Sequence, residues 1–577
     1  MDTYTLTIAI SVLLFIAIGN YSGRKVHSAE DYYVAGRRAP TLLILGTLVA
    51  SVFSTAIFLG EAGFTYDGQL GAYLLLPGIA VTGYIYGALF FGTFLRRSRA
   101  PTVADYFGHR FDSRRVQQAA GATIVLGLGG YLLVVTQGAA LLLSDLTALS
   151  YPAAVLVAWA SYTLFTLYGG SRGVIITDTL MFLLFTGATV LFVFFLVDDF
   201  GGVPRAVEAL ARQEDKPGLA AWHGIIGEGT PWPTAIDFFI WFLIIDLSWS
   251  IVYAVSPWQS SRHLMARDEH VVLRASIYAC FAVIFMQYLI YGAGGLINLA
   301  NPAIEPAETV MLWAAQHLVP EFLGALLLAG IVAAALSSAS TFLSLVGFSV
   351  SNDLGARDQI AGLGTTRLVM CAVALVVLGL SLFVPANIFW IMIFIGTVFA
   401  SSWGPVAFMS VWSKRITARA ATWGLVVGLL ANVVPAAFDY AGVIALPSYA
   451  DPALLGVAAS FLAIVVVSRR GTPGAKEVAY RERLHETPAV DRDWRKTRVT
   501  LLAPALLVVY GACMPVLLLK FYVLPYQLGS GSLGAGGGIN WSEAEPWFAF
   551  GPALLFIPLG TLAAVVIRRR YAPSVPV

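Results

Sequence analysis

The sequence predicts an all-α integral membrane protein of about fifteen transmembrane helices, and three observations carry that prediction. Hydrophobic residues make up 58% of the chain and charged residues only 12%, against roughly a quarter charged in a soluble domain. The apolar residues fall into runs of about 17 to 28, enough to cross about 30 Å of hydrocarbon as helix at about 1.5 Å per residue. The basic residues, finally, are concentrated in every second connection between these runs. Backbone in lipid must satisfy its own hydrogen bonds, so the runs are read as helices.

The first run, Tyr4 to Tyr21, has no basic stretch before it and no small-residue cleavage site after it, so it reads as a retained helix rather than a signal peptide. Next come Thr41 to Leu59, Leu70 to Leu95, Val116 to Asp145, Tyr151 to Leu167 and Val174 to Leu196. A second group comprises Ala235 to Val255, Ala275 to Leu299, Phe322 to Ser349, Leu368 to Phe383 and Ile388 to Val411. Ala421 to Phe438, Leu454 to Val467, Val499 to Tyr522 and Phe548 to Ile567 complete the series.

With the N-terminus outside, the cytoplasmic connections hold all 35 Lys and Arg except Arg205, Arg212, Lys216 and Lys520. That is the asymmetry the positive-inside rule requires, and adding or removing one span would scramble it. It places the C-terminus in the cytoplasm and favours a bacterial or archaeal inner membrane. The Gly-rich stretch Gly529 to Gly538 falls in the last outer loop as a flexible connector. Arg469 to Arg498 reads as a solvated tether to the last two helices.

Composition also excludes chemistry. A net charge of +2 gives no reason to expect nucleic acid, and no obligate protein partner is called for; the lipid bilayer is the implied partner. No zinc-protease or phosphate-loop motif occurs, so an enzyme is not expected. Cys280, Cys371 and Cys513 lie in apolar runs without metal-type spacing and read as packing residues.

Two spans carry polar punctuation. In the second, Ala50, Ser51, Val52, Phe53, Ser54 and Thr55 interrupt the apolar run halfway along. A helix broken there would free carbonyls at mid-membrane, where they are tolerated if something binds them, and a sodium ion is a natural partner. Helix packing through small residues is the competing reading. In the ninth, the Ala334 carbonyl and the Ser337 and Ser338 hydroxyls share one helical face. Three hard oxygens there suit a hard cation, although such serines also bond neighbouring helices or their own backbone.

Several short segments, each weak alone, resemble the sodium:solute symporter family in their order. They are Asp31-Tyr32-Tyr33-Val34-Ala35-Gly36-Arg37, Phe58-Leu59-Gly60, Thr102 with Asp105-Tyr106-Phe107 and Arg110-Phe111, and Gly169-Gly170 followed by Thr177-Asp178. Ser256-Pro257-Trp258-Gln259 with Arg262, and Ala333-Ala334-Ala335-Leu336-Ser337-Ser338 with Asn352-Asp353-Leu354, continue the series. The match runs over roughly residues 20 to 440.

The resemblance implies a five-plus-five inverted-repeat core with discontinuous helices at the midplane. The division is then 1–40 for the first helix and basic inner loop, and 41–412 for the core, with repeats near 41–198 and 235–412. Two further helices occupy 413–470, a charged linker 471–498, and the C-terminal helices with their basic tail 499–577. The resemblance also implies a co-transported sodium ion, held by the carbonyls of Ala50, Phe53 and Ala334 and the hydroxyls of Ser337 and Ser338. Asp178 would lie on the ion's inward path.

Substrate-side positions similar to those of the proline-carrier branch are Trp249 and Tyr253, with Pro257 at the same spacing; Ser51 and Ser54 join them from the broken span. A stripe of that kind is ordinarily core packing. Asp246, one turn before Trp249, costs at least about 2.5 to 3.5 kcal/mol at mid-depth and so needs a partner or a role. Val52 replaces the acid of proline carriers and the amide of sugar carriers, and Met181 replaces a common glutamine, so those substrates do not transfer. The apolar Val52, Phe53 and Ile57 and the lack of a basic clamp lean toward a small amino acid or monocarboxylate. A proton-coupled carrier titrating Asp246 or Asp178 shares the fold. So does a solute sensor, which the lack of a signalling module after Ile567 disfavours.

Overall fold

The computed structural model describes residues 2–24, 26–147, 149–355, 362–384 and 388–572. Lys25 and Arg357, two of the basic residues placed on the inner side, lie outside them. Among the described residues the apolar runs are helical, no strand forms, and twelve helices are long and apolar enough to cross a membrane.

The chain begins with α1 (Thr3–Gly23), capped by the Asp2 carboxylate, which accepts from the Thr5 N–H. α2 (Thr41–Ala50) is short and stops abruptly. After a break the same span resumes through a wide turn at Ala56–Glu61 into α3 (Ala62–Asp67). The run expected to end at Leu59 therefore continues to Asp67 and takes Glu61 into the protein.

α4 (Leu70–Ser98) bends near Gly78, and α5 (Arg114–Leu146) follows. α6 (Tyr151–Asp199) joins two of the expected runs into one 49-residue element bent at Gly170, whose φ of 52° and ψ of −157° are non-helical. Glycine is required twice over at this bend. The left-handed φ strains any other residue, and a Cβ would stand 2.4 Å from Tyr32 Cδ2.

A second break separates α7 (Ala235–Val255) from α8 (Pro257–Met265) at Ser256, which is extended (φ −56°, ψ 148°). Proline stabilises the restart, since its missing N–H is one a helix start leaves unpaired anyway. α9 (Glu269–Ile297) precedes α10 (Glu321–Phe348), the most enclosed long helix. α11 (Leu363–Phe383), α12 (Ile388–Trp412), α13 (Ala418–Tyr440) and the shorter α14 (Pro452–Ser468) come next.

In a membrane, helix association relies on close packing rather than on water expulsion, so small residues mark the contacts. Gly46 lets α2 approach α6 until a Cβ would lie 2.9 Å from the Thr179 Cα. At Gly83 a Cβ would lie 1.9 Å from the Ser250 carbonyl of α7. Gly83→Ala is expected to force α4 and α7 apart and to destabilise the protein by about 1–3 kcal/mol. Thermal unfolding in detergent measures this, and a melting curve superimposable on the parent's would contradict so close a contact.

One face of the bundle, the one that the charge pattern assigns to the inside, is tied by the motifs that carried the resemblance. Tyr32 donates to the Leu167 carbonyl at 2.9 Å, beside the Gly170 bend. Arg37 donates to the Arg99 and Ala100 carbonyls at 2.6 and 3.0 Å. Asp353 accepts from Thr102 and Gln117 at 2.8 and 3.0 Å.

The charged stretch expected to be a solvated tether is more ordered than that. It contains α15 (Ala475–His485), and Glu477 accepts from the Ala418 N–H at 2.9 Å. The buried Arg110 donates to the Glu477 carbonyl at 3.2 Å. Arg97, paired with Glu269 at 2.5 and 2.7 Å, also donates to the Leu484 carbonyl at 2.8 Å. These guanidinium groups need acceptors, and the linker backbone supplies them. From it the chain enters α16 (Trp494–Leu518) and ends with α17 (Gly551–Tyr571), packed together.

Candidate functional site: two helix breaks and a closed cavity

α2 stops at Ala50 because the next residues do not continue its hydrogen-bond ladder. Val52 and Phe53 both donate to the Val49 carbonyl, at 3.0 and 3.2 Å. The second half is started by Ser54, whose hydroxyl accepts from the Ala56 N–H at 3.2 Å while its carbonyl takes the Ile57 and Phe58 N–H groups. Among the described residues no backbone N–H pairs with the carbonyls of Ala50, Ser51 or Val52. Ala50, Ser51 and Phe53 are buried, so free carbonyls face the interior at mid-span.

α10 presents its serines to this break. The Ser338 hydroxyl donates to the Phe53 carbonyl at 3.1 Å, and the Ser337 hydroxyl donates to Asp178 on α6 at 2.7 Å. Ala334 lies one turn earlier on the same helix and is fully buried. By donating its proton to a carboxylate, Ser337 leaves its oxygen lone pairs more electron-rich, as second-shell acceptors do for metal ligands.

Asp178 is held from several sides. It accepts from Thr47 of α2 at 2.5 Å and lies 3.5 Å from the Arg262 guanidinium of α8. Arg262 also donates to Thr47 at 3.1 Å and to Thr341 of α10 at 2.5 Å. Both charged side chains are buried. Such a pair is tolerated because nearly every polar atom in it is bonded. It knots α2, α6, α8 and α10 around the proposed sodium ligands.

The second break faces the first. Gln259 Nε2 lies 3.5 Å from Ser51 Oγ across the gap. Around the two breaks Thr55 Oγ1, Ser256 Oγ, Gln259 Oε1 and Ser260 Oγ are buried without a hydrogen-bond partner among the described residues. Between the breaks lies a closed cavity of about 30 Å3 free volume, walled in part by Val52, Ile57, Trp258 and three of the five residues expected on the substrate side, Asp246, Trp249 and Tyr253. Ser51 and Ser54 are not among its walls. Their hydroxyls are used inside the break, Ser51 donating to the Leu48 carbonyl at 3.1 Å.

Sequence reasoning missed Glu61, Tyr73, Tyr131, Gln287 and Tyr291, all cavity walls. Glu61 accepts from the Tyr291 hydroxyl, which in turn accepts from Gln287 at 3.1 Å. The available signal was the rule that an ionisable residue inside a span marks function. It was lost by ending the second span at Leu59, two residues before Glu61.

Comparisons with known proteins bear on the family and the fold. The model of the sodium:solute symporter family matches residues 32–428. The sodium/pantothenate symporter of Escherichia coli strain K12 is 26% identical, over 81% of this chain and 96% of that protein. The sodium/proline symporter of the same strain is 23% identical over 76% and 88%. Among solved structures, a substrate-bound, outward-open Na+-coupled sialic acid symporter has a TM-score of 0.69 at 18% identity, covering 82% of this chain and 99% of that one. A nucleobase-cation-symport-1 family transporter in a closed conformation has a TM-score of 0.54 at 13% identity, covering 79% and 99%. With the family model spanning the inner-loop motif, both helix breaks and the serine helix, the chain belongs to the sodium:solute symporter family, as a multi-pass membrane protein.

Proposed function

We propose that this symporter holds one sodium ion between the α2 break and α10, on the carbonyls of Ala50, Phe53 and Ala334 and the hydroxyls of Ser337 and Ser338, and moves it with a small organic solute. The observation that carries this reading is the direct contact of Ser338 with the Phe53 carbonyl, beside Ser337 on Asp178. These contacts join a helix with free carbonyls to a helix face that offers two adjacent hydroxyls. Asp178 guides the ion inward.

In this reading the core comprises two repeats, spans two to six and seven to eleven, each opened by a broken span. Counting the halves of α6, the broken second span and α14 as crossings gives fifteen, with the N-terminus outside the inner membrane and the C-terminus in the cytoplasm. Sodium from outside stabilises the state whose cavity is complete for solute, and rocking of one bundle on the other opens the inner path. One charge crossing about 100 mV releases about 2.3 kcal/mol and a tenfold sodium gradient about 1.4. Together they support several-hundredfold accumulation of a neutral solute.

The test is uptake of labelled amino acids, amines, short carboxylates and sugars into proteoliposomes, with an inward sodium gradient or with potassium in its place. Sodium-dependent accumulation is expected. Uptake that follows pH and ignores sodium would transfer the coupling to Asp246 or Asp178 and remove the serine site.

A further inference from the structure

We infer that the closed cavity receives a small organic cation carrying a hydrogen-bond acceptor. This rests on the carrier reading above and names the solute class of the same site. Two carboxylates, Glu61 and Asp246, stand in its wall, and no Lys, Arg or His does. Glu61 has the Tyr291 hydroxyl as donor. Asp246 makes no hydrogen bond or ion pair among the described residues.

Glu61 and Asp246 are partly withdrawn from water; charge held there is costly unless compensated, and two carboxylates sharing one cavity also repel each other. A cationic solute removes both costs together. An anion adds a third like charge, and a sugar leaves both carboxylates uncompensated.

Two further features point the same way. Most of the remaining large walls are aromatic, including Tyr73, Tyr131, Tyr253 and Trp258, and ring faces attract an ammonium group, most strongly when it is desolvated. Trp249, also in the wall, is only 8% exposed, yet among the described residues its Nε1–H has no acceptor. An unpaired buried donor calls for a ligand oxygen. The solute's cationic nitrogen would therefore face Asp246 and Glu61, with its acceptor turned to Trp249. The free volume of about 30 Å3, near one water's share of the liquid, means that the walls must part to admit it.

The test uses the purified full chain and labelled ethanolamine, choline, tetramethylammonium, propionate, proline and glucose, each titrated in sodium and in potassium. Ethanolamine or choline is expected to bind at least tenfold tighter than propionate, proline or glucose. Asp246→Asn should weaken that binding at least tenfold while leaving one 22Na+ bound per protein. Trp249→Phe keeps the ring and loses the donor, so it should weaken choline binding but not tetramethylammonium binding. Gel-filtration profiles matching the parent establish folding.

Tighter binding of propionate, proline or glucose overturns the inference. So does cation binding unaffected by both Asp246→Asn and Glu61→Gln. A 22Na+ stoichiometry that falls from two to one in Asp246→Asn also overturns it, by making the carboxylates an ion site. The two readings fail separately. Cation binding and uptake that ignore sodium would end the coupling proposal and keep the solute class, whereas sodium-driven propionate uptake would do the reverse.

Discussion

Ser338→Ala is expected to raise the sodium concentration needed for half-maximal uptake by about tenfold or more, with the protein still inserted and folded. The hydroxyl is one of five proposed oxygen ligands, and hydrogen bonds to charged groups, the nearest measured analogue, contribute about 1.5–3 kcal/mol. Its bond to the Phe53 carbonyl is a small part of the packing of a helix buried along its length. The effect should therefore appear in sodium affinity rather than in stability. Ser337→Ala should do the same and also take a donor from Asp178. Sodium activation curves for both variants decide the matter, and two curves equal to the parent's would sink the ligand assignment.

A larger loss is expected from Asp178→Asn. The substitution keeps the shape but removes the charge opposite Arg262, whose side chain is 2% exposed and has no other carboxylate in reach among the described residues. Breaking a buried pair from one side costs about 3–5 kcal/mol, because the remaining charge is stranded. We expect little folded protein after heating and no sodium-driven uptake. Arg262→Gln placed on top should restore much of the thermal stability, since both charges are then gone, but not the uptake. A double variant no more stable than Asp178→Asn alone would mean that the pair is not the source of the loss.

How far these features were legible follows from the physics of each. Span existence was plain, because hydrocarbon thickness and backbone hydrogen bonding leave little choice. The break after Ala50 was visible as small and hydroxylated residues in an apolar run, and the placing of Ser337 and Ser338 one turn beyond Ala334 followed from helical spacing alone.

That Ser337 meets Asp178 and Ser338 meets Phe53 was not legible from spacing, since it depends on three helices crossing. The Ser256 break was hidden by its position, where a proline after an apolar run reads equally well as the end of a span. Glu61 was hidden for the converse reason: the wide turn at Ala56–Glu61 carries the span past a charge that ordinarily marks a membrane boundary. The linker helix escaped because its ordering comes from acceptors offered to arginines far away in sequence, and composition does not record that.

The Asp178–Arg262 pair also bears on how the chain is made. Asp178 enters the membrane roughly 80 residues ahead of Arg262, an interval of about 4–16 s at ordinary synthesis rates. A carboxylate in hydrocarbon for that long costs a few kcal/mol, and its later counterion cannot help. Thr47, by contrast, is synthesised first, and its hydroxyl reaches Asp178 at 2.5 Å in the finished protein. The hydroxyl that bonds Asp178 in the finished protein is thus already made when Asp178 arrives. The order of residues along the chain, and not only their final arrangement, keeps a buried charge insertable.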